Sequence, residues 1–176
     1  MLSVRTVYVL SPLHLSILQA GFVAALPALC GFSGGILGGM FSDWMLRRGY
    51  SLTTARKTPI VIGMLTACSM IICNYVEVQW IIVGLMSLSF LGKGFGALGW
   101  AVVADTSPKE VPGLSGALFN TFGNTAAITT PIVVGYIYDA TKSFDGALLY
   151  VAANAIGAIA CYLLVVGEIK RVQLAP

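Results

Sequence analysis

Five apolar runs, each about as long as a bilayer is thick, follow one another with short polar joints between them. They cover residues 17–41, 58–75, 79–103, 112–138 and 146–167. A helical span needs about 20 predominantly apolar residues. In hydrocarbon every backbone N–H and C=O must find its partner inside the structure, so only helices and closed barrels cross. Runs of this length predict helices, and the chain is expected to be an all-α, polytopic membrane protein with five transmembrane helices. Composition agrees: 57% of the residues are hydrophobic and 10% charged, where soluble domains carry about 25% charged residues. Pro27 and Pro131 fall inside the first and fourth runs and predict kinks, since neighbouring helices can satisfy the freed carbonyls.

Around the bundle of residues 17–167, residues 1–16 read as a leader or the remnant of a missing helix, and residues 168–176 as a tail. The leader holds Arg5, Pro12 and His14 and lacks the small-residue cleavage site of a signal peptide. Basic residues are unevenly shared between the joints. Arg47, Arg48, Arg56, Lys57, Lys109, Lys170 and Arg171 fall on one side, against Arg5 and Lys142 on the other. The positive-inside rule assigns the richer side to the cytoplasm, with the C-terminus inside and the N-terminus outside. An outside N-terminus without a signal peptide predicts that a preceding helix is absent and that the chain is a fragment, or one part of a larger assembly. The net charge of +3 is dispersed and offers no basic face for nucleic acid. Cys30, Cys68, Cys73 and Cys161 sit in apolar runs at no metal-like spacing and read as packed hydrophobes; no cofactor or metal is expected.

Polar residues inside the runs carry the chemistry. Intramembrane polar groups are costly and face a bundle interior or a wet cavity. Lys93, Gly96 and Trp100 lie at i, i+3 and i+7 of the third run, one face of a continuous helix. A buried cation beside an aromatic ring suits an anionic ligand; the competing reading is a lysine that snorkels or pairs with a carboxylate. In the fourth run Gly113, Gly116, Asn120, Gly123, Asn124, Ala127 and Pro131 form one stripe at the helical period. It means either a wet cavity, with amides for hydroxyls and carboxylates, or hydrogen bonding between structural helices. This stretch is expected to line the substrate path of a carrier.

The first run holds a glycine ladder, Gly31, Gly35 and Gly39, with Gly34 and Gly38 beside it; small residues four apart let a second helix approach closely. It ends in GGMFSDWMLRRGY, residues 38–50, where Asp43 lies four residues after Gly39 and before Arg47 and Arg48. Asp43 either forms a conformation-dependent charge pair there or merely caps an interfacial anchor. Ser33 and Ser115 sit in G-x-S-like contexts, but neither follows a strand, as a nucleophile elbow requires, and the single histidine lies in the leader. No enzyme is expected.

The runs GKGFGALGWAVVADTSPKE and GLSGALFNTFGNTAAITTPIVVGYI resemble the C-terminal half of major facilitator superfamily carriers. Within it they are most similar to the anion:cation symporter family and its glucarate/galactarate/glycerate permeases, over roughly residues 8–173. GGMFSD with Arg47, Arg48 and Gly49 resembles the superfamily's G-x-x-x-D loop motif, with Trp44 where a basic residue is usual. The resemblance implies that the five spans are most of the second six-helix half, in a bacterial-type inner membrane, with the N-terminal half missing. It implies symport of a sugar-acid anion with a proton. Trp100 and Asn120 match family positions that contact the sugar acid. Lys93 matches a lysine of the glucarate-type subgroup and is expected to meet a second carboxylate; Asn124 is expected to bind hydroxyls beside Asn120. Gly39, Asp43, Arg47 and Arg48 form the gating loop. The rival expectation is a non-transporting membrane interaction protein, or a decayed remnant, packing through Gly31, Gly35 and Gly39.

Overall fold

A computed structural model describes residues 17–173, and the side chains of residues 25–173 except that of Gln79. The leader expected over residues 1–16, with Arg5 and His14, lies outside the described residues. Six α-helices follow in order: α1 (Ile17–Arg47), α2 (Leu52–Ala67), α3 (Gln79–Phe95), α4 (Leu98–Thr106), α5 (Pro112–Thr141) and α6 (Asp145–Ala160). A 3₁₀ segment, Cys68–Tyr75, prolongs α2, and a π turn, Cys161–Val165, ends α6. The described chain is all-α and polytopic. Among the described residues, four stretches are long and apolar enough to cross a membrane: Ala25–Arg47, Leu52–Tyr75, Trp80–Thr106 and Asp145–Val165.

Local chemistry sets the ends. Gly49 takes φ +85° beyond the end of α1, a left-handed position that glycine adopts without steric cost. Ser51 then caps α2, its hydroxyl oxygen accepting from the Thr54 N–H at 3.2 Å. Pro112 opens α5, where its missing N–H costs nothing. Lys142 closes α5 in the left-handed conformation, its N–H donating to the Tyr138 carbonyl at 2.7 Å. Pro27, Pro59 and Pro131 all lie inside helices that continue past them.

The centre of the molecule is α3, held against α1 on one side and α2 on the other by glycines. A Cβ at Gly34 would collide with the Leu91 backbone, and one at Gly38 would come within 3.1 Å of the Phe95 Cα. From the facing helix, a Cβ at Gly94 would meet the Gly31 carbonyl. Gly63 and Gly92 do the same between α2 and α3, each blocking the other's backbone. The buried Ser89 hydroxyl adds a bond to the Ala67 carbonyl at 2.9 Å. The glycine ladder thus needs correcting in phase. Gly34 and Gly38 make the closest approach and Gly31 and Gly35 flank it, while Gly39 has open space. Both phases repeat every four residues, so spacing alone does not choose between them.

The spans alternate in direction, α3 and α4 running on as one. The joints 48–51 and 107–111 and the segment after Val165 share one end, tied by Arg56–Asp105 and Thr53–Ile169 contacts. At the other end the Asn74 amide donates to the Asp145 carbonyl at 3.3 Å. Arg47, Arg48, Arg56, Lys57, Lys109, Lys170 and Arg171 therefore gather at one end of the bundle and Lys142 at the other. The fourth run folds as α5, 30 residues and about 45 Å at 1.5 Å per residue, packed mainly on α4 and α6 with no residue buried. It is long enough to span but does not reach the hydropathy of the other four stretches: Asn120, Asn124 and five threonines lower it.

Candidate functional site

The single helix expected over residues 79–103 is broken. Around Gly96 and Ala97 the backbone bonds switch to the three-residue step: Gly96 to Lys93, Ala97 to Gly94, Gly99 to Gly96 and Trp100 to Ala97, at 2.9 to 3.1 Å. Each such step turns the chain about 120° instead of about 100°. Four of them carry Trp100 about 80° from where a continuous helix would place it, so that it lies roughly 60° round from Lys93 instead of about 20°.

The two side chains consequently have different surroundings. The Lys93 ammonium is exposed, 5.5 Å from the Phe90 ring centroid, and makes no ion pair among the described residues. Trp100 is half exposed and turns toward α5. There it meets Phe119 edge to face, centroids 4.8 Å apart, and approaches the bare backbone of Gly116. Phe119 and Gly116 are site neighbours that sequence reasoning missed. Gly116 lay in the small-residue stripe, but no pattern paired it with Trp100.

On α5 the hydroxyl groups and the amides behave differently. Thr121, Thr125, Thr129 and Thr141 each donate to the carbonyl four residues back, at 2.7 to 3.1 Å, so these hydroxyls are satisfied within the helix. Asn154 on α6 does likewise, donating to the Tyr150 carbonyl at 2.8 Å. Asn120 and Asn124 are exposed, and among the described residues neither amide has a hydrogen-bond partner. An amide left unpaired in hydrocarbon costs several kcal/mol, so these two require water, a ligand or another chain segment. A shallow pocket of about 290 Å³ lies farther along α5, lined by Ile132, Gly135, Tyr136 and Asp139, away from Trp100. Beside it the Lys142 ammonium holds the Asp139 carboxyl below its ordinary pKa, by hydrogen bond and then by charge.

At the basic end, Asp43 pairs with neither Arg47 nor Arg48. Its partner is Arg56 of α2, 3.7 Å away and reached from a carboxylate 64% exposed. The same guanidinium donates from Nε to Asp105 of α4 at 2.8 Å and from Nη1 to the fully buried Ser42 hydroxyl at 2.9 Å. Arg56 thus joins α1, α2 and α4. Arg48 instead lies over the Trp44 ring, 5.0 Å from its centroid, and Arg47 is exposed. Gly39 sits one turn before Asp43 with open space where a Cβ would be. Ser33 and Ser115, the serines of the G-x-S-like contexts, spend their hydroxyls on the carbonyls of Leu29 and Val111.

No family model matches the chain. It is 67% identical over 168 residues to the probable galactarate/D-glucarate transporter GudP of Bacillus subtilis (strain 168), covering 96% of this chain and 37% of that protein. It is 59% identical over 170 residues to the probable galactarate/D-glucarate transporter GudP of Escherichia coli (strain K12), covering 97% and 38%. It is 40% identical over 155 residues to the D-galactonate transporter of Escherichia coli O6:H1, covering 88% and 36%. These relatives are transporters rather than enzymes, and the chain spans less than two fifths of their length. Its sequence makes the chain a homologue of the galactarate/D-glucarate transporters of the major facilitator superfamily, matched to the C-terminal ~38% of those proteins.

Proposed function

We propose that this chain supplies one wall of a carrier for sugar-acid anions of the glucarate and galactarate type, the other wall coming from a part of the carrier outside this chain. The observation that carries the reading is the pair of unpartnered amides, Asn120 and Asn124, on a helix where four of five threonines are satisfied internally. A sugar acid presents carboxylates and a row of hydroxyls. Lys93 attracts a carboxylate, Trp100 packs on the carbon skeleton, and Asn120 with Asn124 hydrogen-bonds the hydroxyls. In this reading α5 is also a span, the fourth of five, its polar stripe turned to the water-filled path between two rocking halves. Proton symport belongs to the same reading. Residues 17–167 are the transmembrane bundle and 168–176 the tail. The basic end faces the cytoplasm of a bacterial cell, with the C-terminus on the cytoplasmic side of the inner membrane.

The gating segment of Gly39, Asp43, Arg47 and Arg48 fits this reading through Arg56. A cation held between carboxylates on two helices is a contact that can break when those helices part. Packing through the glycine face as a non-transporting protein finds less support, because α3 already covers Gly31, Gly34, Gly35 and Gly38.

The test is a chimera in which this chain replaces the matching segment of the Bacillus subtilis GudP, assayed for uptake of labelled D-glucarate. Removing a hydrogen-bonded charge from a ligand costs about 1.5–3 kcal/mol, roughly a 10- to 100-fold loss. Lys93→Ala is expected to lose uptake on that scale, Asn120→Ala by about two- to tenfold, the worth of a neutral hydrogen bond, and Phe122→Ala, on the opposite side of α5, to retain it. Uptake unchanged in both site variants refutes the assignment.

A further inference from the structure

We infer that residues 166–172 form a strap that fastens α2 to α4 at the end of the bundle bearing Arg56, and that helix separation there requires its release. Beyond the π turn the chain leaves the helix at Val166 and takes no regular secondary structure, yet it is bound along its length. The Val166 carbonyl accepts from the Lys57 ammonium of α2. The Ile169 N–H donates to the Thr53 hydroxyl of α2 at 2.9 Å, and the Ile169 side chain is 3% exposed. Three residues on, the Val172 N–H donates to the Thr106 carbonyl at the end of α4 at 2.9 Å. The Arg171 guanidinium donates to the Ala104 carbonyl at 3.4 Å.

Two features make this a strap rather than a resting tail. Three extended residues reach about 10 Å, the separation of two packed helices, so the Ile169 and Val172 bonds bridge neighbouring elements. The Thr106 carbonyl is one of the last four of its helix, which have no partner inside it, so α4 leaves an acceptor open there. The strap also runs in parallel with the Arg56–Asp105 pair, which joins the same two helices at 2.8 Å. One tie depends on charge and the other on backbone bonds and a buried isoleucine. The inference does not depend on which anion the carrier takes.

Hydrogen exchange of the full chain in lipid nanodiscs tests it. Amides 169 and 172 are expected to be protected. Losing a bond of this kind shifts an opening equilibrium by about two- to tenfold. In Thr53→Val, which removes the acceptor at nearly constant volume, and in Ile169→Asn, exchange at residues 55–58 and 103–107 is expected to rise by that factor. Residues 145–152, at the far end, stay unchanged. If Ile169→Asn also accelerates residues 145–152, the bundle itself has loosened and Thr53→Val decides. The inference is overturned if amides 169 and 172 exchange at free-chain rates in the unaltered protein. It is equally overturned if the tail is freed in Thr53→Val while residues 55–58 and 103–107 keep their protection.

Discussion

Arg56 carries unequal bonds, and the inequality sets what each partner is worth. Its side chain is 14% exposed; Asp105 is 25% exposed and in direct contact, Asp43 is 64% exposed and farther off. A hydrogen bond to a charged, partly buried group contributes about 1.5–3 kcal/mol, whereas an exposed ion pair contributes about 0–1 kcal/mol. Asp105→Asn is therefore expected to destabilise the bundle by about 2 kcal/mol and Asp43→Asn by less than about 1 kcal/mol, read from denaturation in mixed micelles. Equal losses contradict the geometry. Asp43 was legible in the sequence because an acid after a glycine-rich run at a helix end stands out. Its partner was not: Arg47 and Arg48 are nearest in the chain, but they continue the end of α1, while Arg56 is brought back by the turn at Gly49.

At the scale of elements, glycines decide how closely the helices approach. Gly34 and Gly39 are both helical and five residues apart, yet substitution should move stability in opposite directions. Gly34→Ala forces a methyl into the Leu91 backbone and is expected to cost about 1–3 kcal/mol. Gly39→Ala meets nothing within 4 Å and should gain up to about 1 kcal/mol from the better helix former. Both are read by thermal unfolding in detergent, and a loss at Gly39 equal to that at Gly34 restores the phase first expected. The existence of a close helix contact was legible from the four-residue spacing. Its partner surface was not, because Gly63, Gly92 and Gly94 show no such ladder and gain their meaning only when α3 lies between α1 and α2. The break at Gly96 and Ala97 was equally hidden: glycines permit a tight turn but do not require one, and the apolar run continues through it.

For the whole molecule, the long apolar runs carried most of the fold: the order and approximate ends of the helices follow from where hydrophobicity stops, while their number does not, since the 79–103 run is split into α3 and α4. The sharing of basic residues between two ends followed from the same alternation. What the runs could not convey is that α5 packs mainly on α4 and α6 and buries none of its residues, because its stripe of Gly113, Gly116, Asn120, Gly123 and Asn124 suits a tight contact and a wet path alike. The distinction lies in the unpaired amides, and it can be measured directly. In the chimera with Bacillus subtilis GudP, with the native cysteines Cys30, Cys68, Cys73 and Cys161 replaced by alanine, single cysteines are placed at Asn120, Asn124 and Phe122. Intramembrane polar groups belong to water-filled or interior surfaces, so labelling by a membrane-impermeant thiol reagent should run roughly tenfold faster at 120 and 124 than at 122, and D-glucarate should slow it. Equally slow labelling at all three positions, unaffected by D-glucarate, would contradict the account.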